Sequence, residues 1–316
     1  MKTFKDICRL NQTALKKYLK CYLTEKKYEV VAEDGFLYAK GDVPVLLVAH
    51  LDTVHKNICT EIRELNGRIS SPQGIGGDDR CGVYIIMQLV RELHCSVLFC
   101  EDEEIGAKGA RKFVQTEHIK NLDVNYMIEF DRRGNNDAVF YSCDNKEFTK
   151  FVTSNTGFKE VGGSFSDISV LAPAAKIAAV NLSSGYYNAH TTEEYVIAKE
   201  MMNTASVAKT LIATESKKYE YVQKQYVWNA PTTTSYMPKN SNTSPFRSNS
   251  YAGAQMSMFN DALRDLDVQL EVVWEDLEGN EMVDNVTGST KAEAWAMFFL
   301  SNPEVSFNMI YDYCFC

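Results

Sequence analysis

Apolar residues fall into two rhythms along the chain. Residues 43–50, VPVLLVAH, are almost continuously apolar, as expected of a strand covered on both faces. CSVLFC at 95–100, DVNYMIEF ending just before Asp131, and AKIAAVNL at 175–182 have the same character. Between them the spacing turns helical. DDRCGVYIIMQLVREL predicts a helix with Asp78 and Asp79 at its start, and a second helix is expected from about Glu193 to Ala213. The segment MKTFKDICRLNQTALKKYLKCYL alternates apolar and charged residues as one amphipathic helix would. YEVVAEDGFLYAKG predicts two strands about Asp34-Gly35, and ICTEIRELNGRISS a hairpin about Asn66-Gly67. Strands alternating with helices give an α/β fold with a central mixed, mostly parallel sheet flanked by helices.

The rhythm stops after about residue 225. Residues 226–255 are rich in Ser, Thr, Asn and Pro and predict a flexible linker. Residues 256–316 regain apolar content as a small α+β module, with strands in LDVQLEVVWED and VSFNMIYDYCF and a helix in KAEAWAMFFLSN. The expected domains are therefore 1–225, a linker, and a C-terminal module without a chemical motif.

Composition narrows the function classes. The net charge of -9 gives no basic face for nucleic acid, and no apolar run approaches the roughly 20 residues that cross a bilayer. The amino-terminal segment lacks the apolar core of a signal peptide. Nine cysteines at scattered spacings, without a CxxC pair, predict reduced thiols and a cytoplasmic protein.

The candidate chemistry lies where apolar strands end. His50 and Asp52 close one, Glu103 and Glu104 follow another, Asp131 follows a third, and His190 comes after a fourth. Asp78 follows the Gly-rich GIGGDD. In open α/β sheets, ligands bind in the crevice outside the carboxyl ends of the strands. Taken singly, each residue is as well explained as a cap, a solvated acid or a core histidine. Together they bring imidazoles and carboxylates to one sheet edge, where cations would relieve the repulsion. Nitrogen and oxygen donors without thiolates suit zinc, cobalt or manganese.

The order H-x-D, D-D, E-E-x-G, D, H resembles the di-zinc exopeptidase superfamily. HLDTV and NAHTTEEYV are similar to its peptidase T and carboxypeptidase members, and DDRCG and EEIGAKGA to its glutamyl and deblocking aminopeptidases. The resemblance spans roughly residues 40–213. It implies two divalent metals, with Asp78 between them, His50 and Asp131 completing one, and Glu104 and His190 the other. It implies Glu103 as general base and Asp52 as the carboxylate that orients His50. Asp52 can reach the His50 ring only if the chain turns locally, because residues two apart in a strand share a face. GGSFSD at 162–167 resembles the family's Gly-rich substrate loop, which makes Ser164 and Asp167 candidate substrate contacts, with ordinary turn chemistry as the alternative. LSSGYYN before His190 is a second candidate wall. Glu194, one helical turn after His190, is a candidate partner for that imidazole or a solvated carboxylate. Arg80 either orients the carboxylates or forms an ion pair on its helix.

The intervals between His50 and Asp78 and between Asp131 and His190 are too short for the extra domains that family members insert there. The resemblance thus implies a trimmed catalytic domain of undetermined oligomeric state. The expected activity is hydrolysis of an amide next to a free terminus, with an aminopeptidase on short peptides favoured. An amino-acid deacylase acting on N-acyl amino acids, a carboxypeptidase, or a non-catalytic scaffold working through the C-terminal module are the alternatives.

Overall fold

A computed structural model of the chain describes residues 1–224, 268–275, 281–288, 298, 301–302 and 310–315. The chain forms two units, Met1–Gln223 and Lys224–Cys316. The first runs α1 (Phe4–Cys8), α2 (Gln12–Glu25), β1 (Val30–Glu33), β2 (Phe36–Ala39), β3 (Val43–His50), β4 (Arg63–Leu65), β5 (Arg68–Ser70), α3 (Gly77–Leu89), β6 (Cys95–Cys100), α4 (Lys108–Val114) and α5 (Glu117–Lys120). It continues with β7 (Tyr126–Arg132), β8 (Asp137–Val139), α6 (Lys146–Thr156), β9 (Lys159–Val161), α7 (Asp167–Ala175), β10 (Ala179–Ser183), β11 (Tyr186–Tyr187), β12 (Tyr195–Ile197) and α8 (Ala198–Ala213).

The main sheet has the order β1-β2-β6-β3-β7-β10-β8-β9. β3 pairs in parallel with both β6 and β7, and β7 with β10, so four strand carboxyl ends lie side by side. The chain reaches β6 on one side of β3 and then crosses to β7 on the other. That reversal opens a crevice at the end of β3.

The apolar run of β3 is buried on both faces. Val45, Leu47 and Ala49 join the core shared with α3 and α8, while Leu46 and Val48 join the core beneath α4 and α7. A second sheet, β11-β12-β5-β4, contains the expected hairpin and links it to the segment after His190.

Three expectations are corrected. The amino-terminal helix is two helices, because the Asn11 side chain accepts the Ala14 N–H at 2.8 Å and starts α2 afresh. The helix expected from Glu193 begins only at Ala198, because the Tyr-Val-Ile run first pairs with β5 and β11 as a strand. Asp78 and Asp79 stand in the first turn of α3 as expected, but do not cap it: both have non-helical dihedrals, their peptide bond is cis, and Gly76 occupies the cap position.

In the second unit, β13 (Val268–Glu275), β14 (Glu281–Gly288) and β15 (Ile310–Phe315) form an antiparallel sheet of order β14-β13-β15. β13 and β15 fall in the two predicted strand segments, whereas β14 was not anticipated. The predicted linker lies outside the described residues, as does most of the predicted KAEAWAMFFLSN helix.

Candidate active site

His50 is the last residue of β3 and is fully buried. Immediately after it the chain leaves the sheet, and this turn brings Asp52 back to its ring: Asp52 Oδ1 lies 3.2 Å from His50 Nδ1. The Asp52 carboxylate also accepts the backbone N–H groups of Glu103 at 3.0 Å and Glu104 at 3.1 Å. One side chain therefore fixes both the imidazole from β3 and the acidic loop after β6.

The other face of His50 looks onto carboxylates. Its Nε2 is 3.0 Å from Asp78 Oδ1 and 3.6 Å from Asp131 Oδ1. His190 approaches from the opposite side. Its Nε2 is 3.2 Å from Asp78 Oδ2 and 3.2 Å from Glu104 Oε2. The Asp78 carboxylate thus stands between two imidazoles, one on each oxygen. Among the described residues, donor atoms within 4.8 Å of one another form three groups: His50, Asp79 and Asp131; His50, Glu103 and Glu104; and Asp78, Glu104 and His190.

Backbone contacts hold these side chains in place. The Asn181 side chain accepts the Asp131 N–H at 2.8 Å and donates to the Asp131 carbonyl at 3.0 Å. The Tyr186 hydroxyl lies 3.3 Å from the Asp131 carboxylate. Arg80 is buried and donates to the carbonyls of Leu51 at 2.7 Å, Asp52 at 3.3 Å and Leu10 at 3.2 Å. It thus braces the turn after His50 rather than pairing with the site carboxylates.

Burial at such charge density shifts proton affinities. Burial, followed by the Asp78 charge, raises Asp131 to about 8. Burial also raises Glu103 well above the usual carboxylate range, with Asp131, Asp167 and Glu104 adding to it. Hydrogen bonds donated to Asp78 and Glu104 raise His190 to about 12. Burial opposes a charged His50, yet Asp131, Asp52 and Asp78 together lift it well above its ordinary value. Asp78 moves down despite its burial, because both imidazoles favour its anion. Glu104 Oε1 is buried without a hydrogen-bond partner among the described residues. A cluster that must gather protons to balance its charge, and whose donors are all imidazole and carboxylate, fits divalent cations in place of those protons.

The candidates of the 162–167 loop part company. Ser164 is half-buried, whereas Asp167 opens α7 and is fully buried. Burial raises the Asp167 carboxyl to about 7, and the Cys100 thiol lies against it. Asp167 lies under the site, near Cys100 and Glu103, not on its accessible surface.

Some members of the cluster were not anticipated. Asp79 is fully buried and accepts the N–H of His50 at 3.2 Å and of Gly82 at 2.8 Å, which ties the end of β3 to α3. His55 was also missed, although it is one of only five histidines and stands in HLDTVH beside His50. Glu194 does not meet His190 across a helical turn, because no helix exists there. It turns instead beneath Asp78.

Residues 37–177 match Peptidase family M28. That range contains His50, Asp78, Glu103, Glu104 and Asp131. No curated protein sequence matches the chain. Among solved structures, aminopeptidase PepT from Bacillus cereus is similar at 16% identity and a TM-score of 0.54, over 66% of this chain and 96% of that one. A tripeptidase from Staphylococcus aureus is similar at 14% identity and a TM-score of 0.54, with the same coverage. An aminopeptidase from the archaeon Desulfurococcus kamchatkensis is similar at 14% identity and a TM-score of 0.52, over 67% of this chain and 94% of that one. At these identities the structures establish a shared fold. Among the described residues, no helix is long and apolar enough to cross a membrane.

Proposed function

We propose that this protein is a di-metal aminopeptidase acting on short peptides. The observation that carries the proposal is the Asp78 carboxylate, with His50 3.0 Å from one oxygen and His190 3.2 Å from the other. In this reading Asp78 would be shared by the two metals, His50 and Asp131 would help hold one, and Glu104 and His190 the other. Zinc is the favoured ion, and cobalt or manganese would suit the same donors.

When bound, such a metal pair polarises a scissile carbonyl and lowers the pKa of a water toward neutrality. The chain's own residues do the rest. Glu103, whose proton affinity burial has raised, takes the proton from the attacking water and returns it to the leaving amine. Asp52 holds the His50 ring by its Nδ1, so that Nε2 faces the carboxylates. Ser164 is the better-placed substrate contact of its loop, since Asp167 is fully buried.

The surplus of carboxylates suits a free α-amine, and the similar folds of an aminopeptidase and a tripeptidase support the same substrate class. The catalytic work is assigned to the Met1–Gln223 unit, which contains every proposed ligand. Seven free cysteines of that unit, of which only Cys21 is exposed, accord with a reducing compartment such as the cytoplasm.

Metal content tests the proposal first. The full chain, equilibrated with zinc and freed of excess, should retain about two ions, with most lost in Asp78→Asn. A panel of free-amine and N-acylated substrates should then show cleavage only of the former. Cleavage restricted to N-acyl amino acids would identify a deacylase, and absence of bound metal would overturn the enzymatic reading.

A further inference from the structure

Glu194 is fully buried, four residues beyond His190, and its carboxylate collects donors from two other loops. Oε1 accepts the backbone N–H of Asp78 at 2.9 Å, and Oε2 accepts that of Gly76 at 2.8 Å. Oε2 also lies 2.9 Å from His55 Nε2. A carboxylate that takes two backbone N–H groups is acting as an acceptor, so His55 Nε2 carries the proton and donates it. Three segments meet on this one group: the turn after His50, the glycine-rich loop before Asp78, and the loop bearing His190.

The glycine-rich sequence is shaped to this meeting. Gly74 has a φ of +84°, and a Cβ there would come within 2.2 Å of the His55 ring. A Cβ on Gly77 would meet Val196 at 2.7 Å, Tyr186 at 2.8 Å and Glu194 Oε1 at 3.2 Å. The loop can lie flat over the His55–Glu194 pair only where these side chains are missing. The spacing of glycines in GIGGDD thus follows from what lies beneath it.

We infer that Glu194, held by His55, is a positioning residue that fixes the bridging carboxylate of Asp78 relative to His190. The loop 190–194 grips Asp78 twice. His190 meets its side chain at 3.2 Å, and Glu194 holds its backbone N–H at 2.9 Å. Neither His55 nor Glu194 appears in any of the donor groups that could take an ion. Their effect on a metal pair would be exerted only through the placement of Asp78. Partners of this kind typically change metal affinity or activity by about 10–100-fold when lost. The inference rests on the di-metal reading, and its test separates the two.

The experiment compares the full-length wild type with Glu194→Gln and His55→Ala, using zinc competition against a chromophoric chelator, circular dichroism and steady-state kinetics. Glu194→Gln keeps the shape but turns one acceptor into an N–H₂ group facing donors. It should stay folded, weaken zinc binding by about 10–100-fold, and lower kcat while KM stays near the wild-type value. A purely structural role would lower the melting temperature without that split. His55→Ala should show a smaller loss of the same kind. His55 lines a cavity of about 210 Å³ together with Thr53, Asn57 and Gln12, so added imidazole can reach the gap and should restore zinc affinity in His55→Ala. A folded Glu194→Gln with wild-type zinc affinity and kcat would overturn the inference while leaving the di-metal reading intact. If Glu194→Gln fails to fold, His55→Ala decides: unchanged zinc affinity overturns the inference, and an imidazole-reversible loss sustains it. A wild type that binds no zinc overturns both.

Discussion

Asp52 Oδ1 lies 3.2 Å from His50 Nδ1, although the two residues stand only two positions apart at the end of a strand. Continued strand geometry would not allow the contact. The chain leaves the sheet after His50, and the buried Arg80 guanidinium holds the turn by the carbonyls of Leu51 and Asp52. The Asp52 carboxylate also takes the N–H groups of Glu103 and Glu104, so it couples the imidazole to the proposed base. Asp52→Asn keeps the size and loses the charge. It should lower both kcat and zinc affinity by about 10–100-fold, measured by steady-state kinetics and chelator competition. Wild-type values for both would remove Asp52 from the mechanism.

Glu103 separates chemistry from metal binding. Its carboxylate is near the cluster, and burial raises its affinity for a proton. Glu103→Gln should lose roughly 10²–10⁴-fold in turnover while retaining the wild-type zinc content, read by kinetics and elemental analysis on the same sample. Turnover comparable to wild type would rule it out as the base.

Much of this site was legible along the chain because β3, β6 and β7 are buried on both faces and read as unbroken apolar runs. His50, Glu103, Glu104 and Asp131 could therefore be placed at strand ends without a structure. His190 was placed by the order of motifs, since its own loop carries no periodic signal. What was not legible depends on contacts between distant segments. Glu194 looked helical by its distance from His190, and only the pairing of Tyr195–Ile197 with β5 turns it toward Asp78. Asp79 looked like a helix cap, yet it binds the backbone of a residue 29 positions away. The burial of Asp167 depends on α7, an element the sequence reading did not anticipate.

Removal of metal should uncover the repulsion among the carboxylates. A ligand that binds only the folded state at about 100 times its Kd adds about 2.7 kcal/mol of stability. For a unit of this size that corresponds to a fall of roughly 5–10 °C in melting temperature on chelation. Differential scanning calorimetry with and without a chelator should show this for the wild type and little of it for Asp78→Asn. An equal effect in both proteins would place the stabilising ion elsewhere.

Alkaline pH should weaken the sheet itself. Cys95 begins β6 in the core, and burial raises its thiol from 9.0 to about 12. The folded chain keeps this proton where the unfolded chain gives it up. The resulting stabilisation is complete below about pH 9 and is lost as pH rises toward about 12. Tyr28, whose hydroxyl donates to the Cys95 carbonyl at 2.9 Å, is shifted upward by burial too and adds to the same slope. Cys95→Ala removes the thiol's share. Urea midpoints measured between pH 8 and 10.5 should fall with pH in the wild type and fall less steeply in Cys95→Ala. Parallel curves would mean that the Cys95 thiol titrates alike in both states.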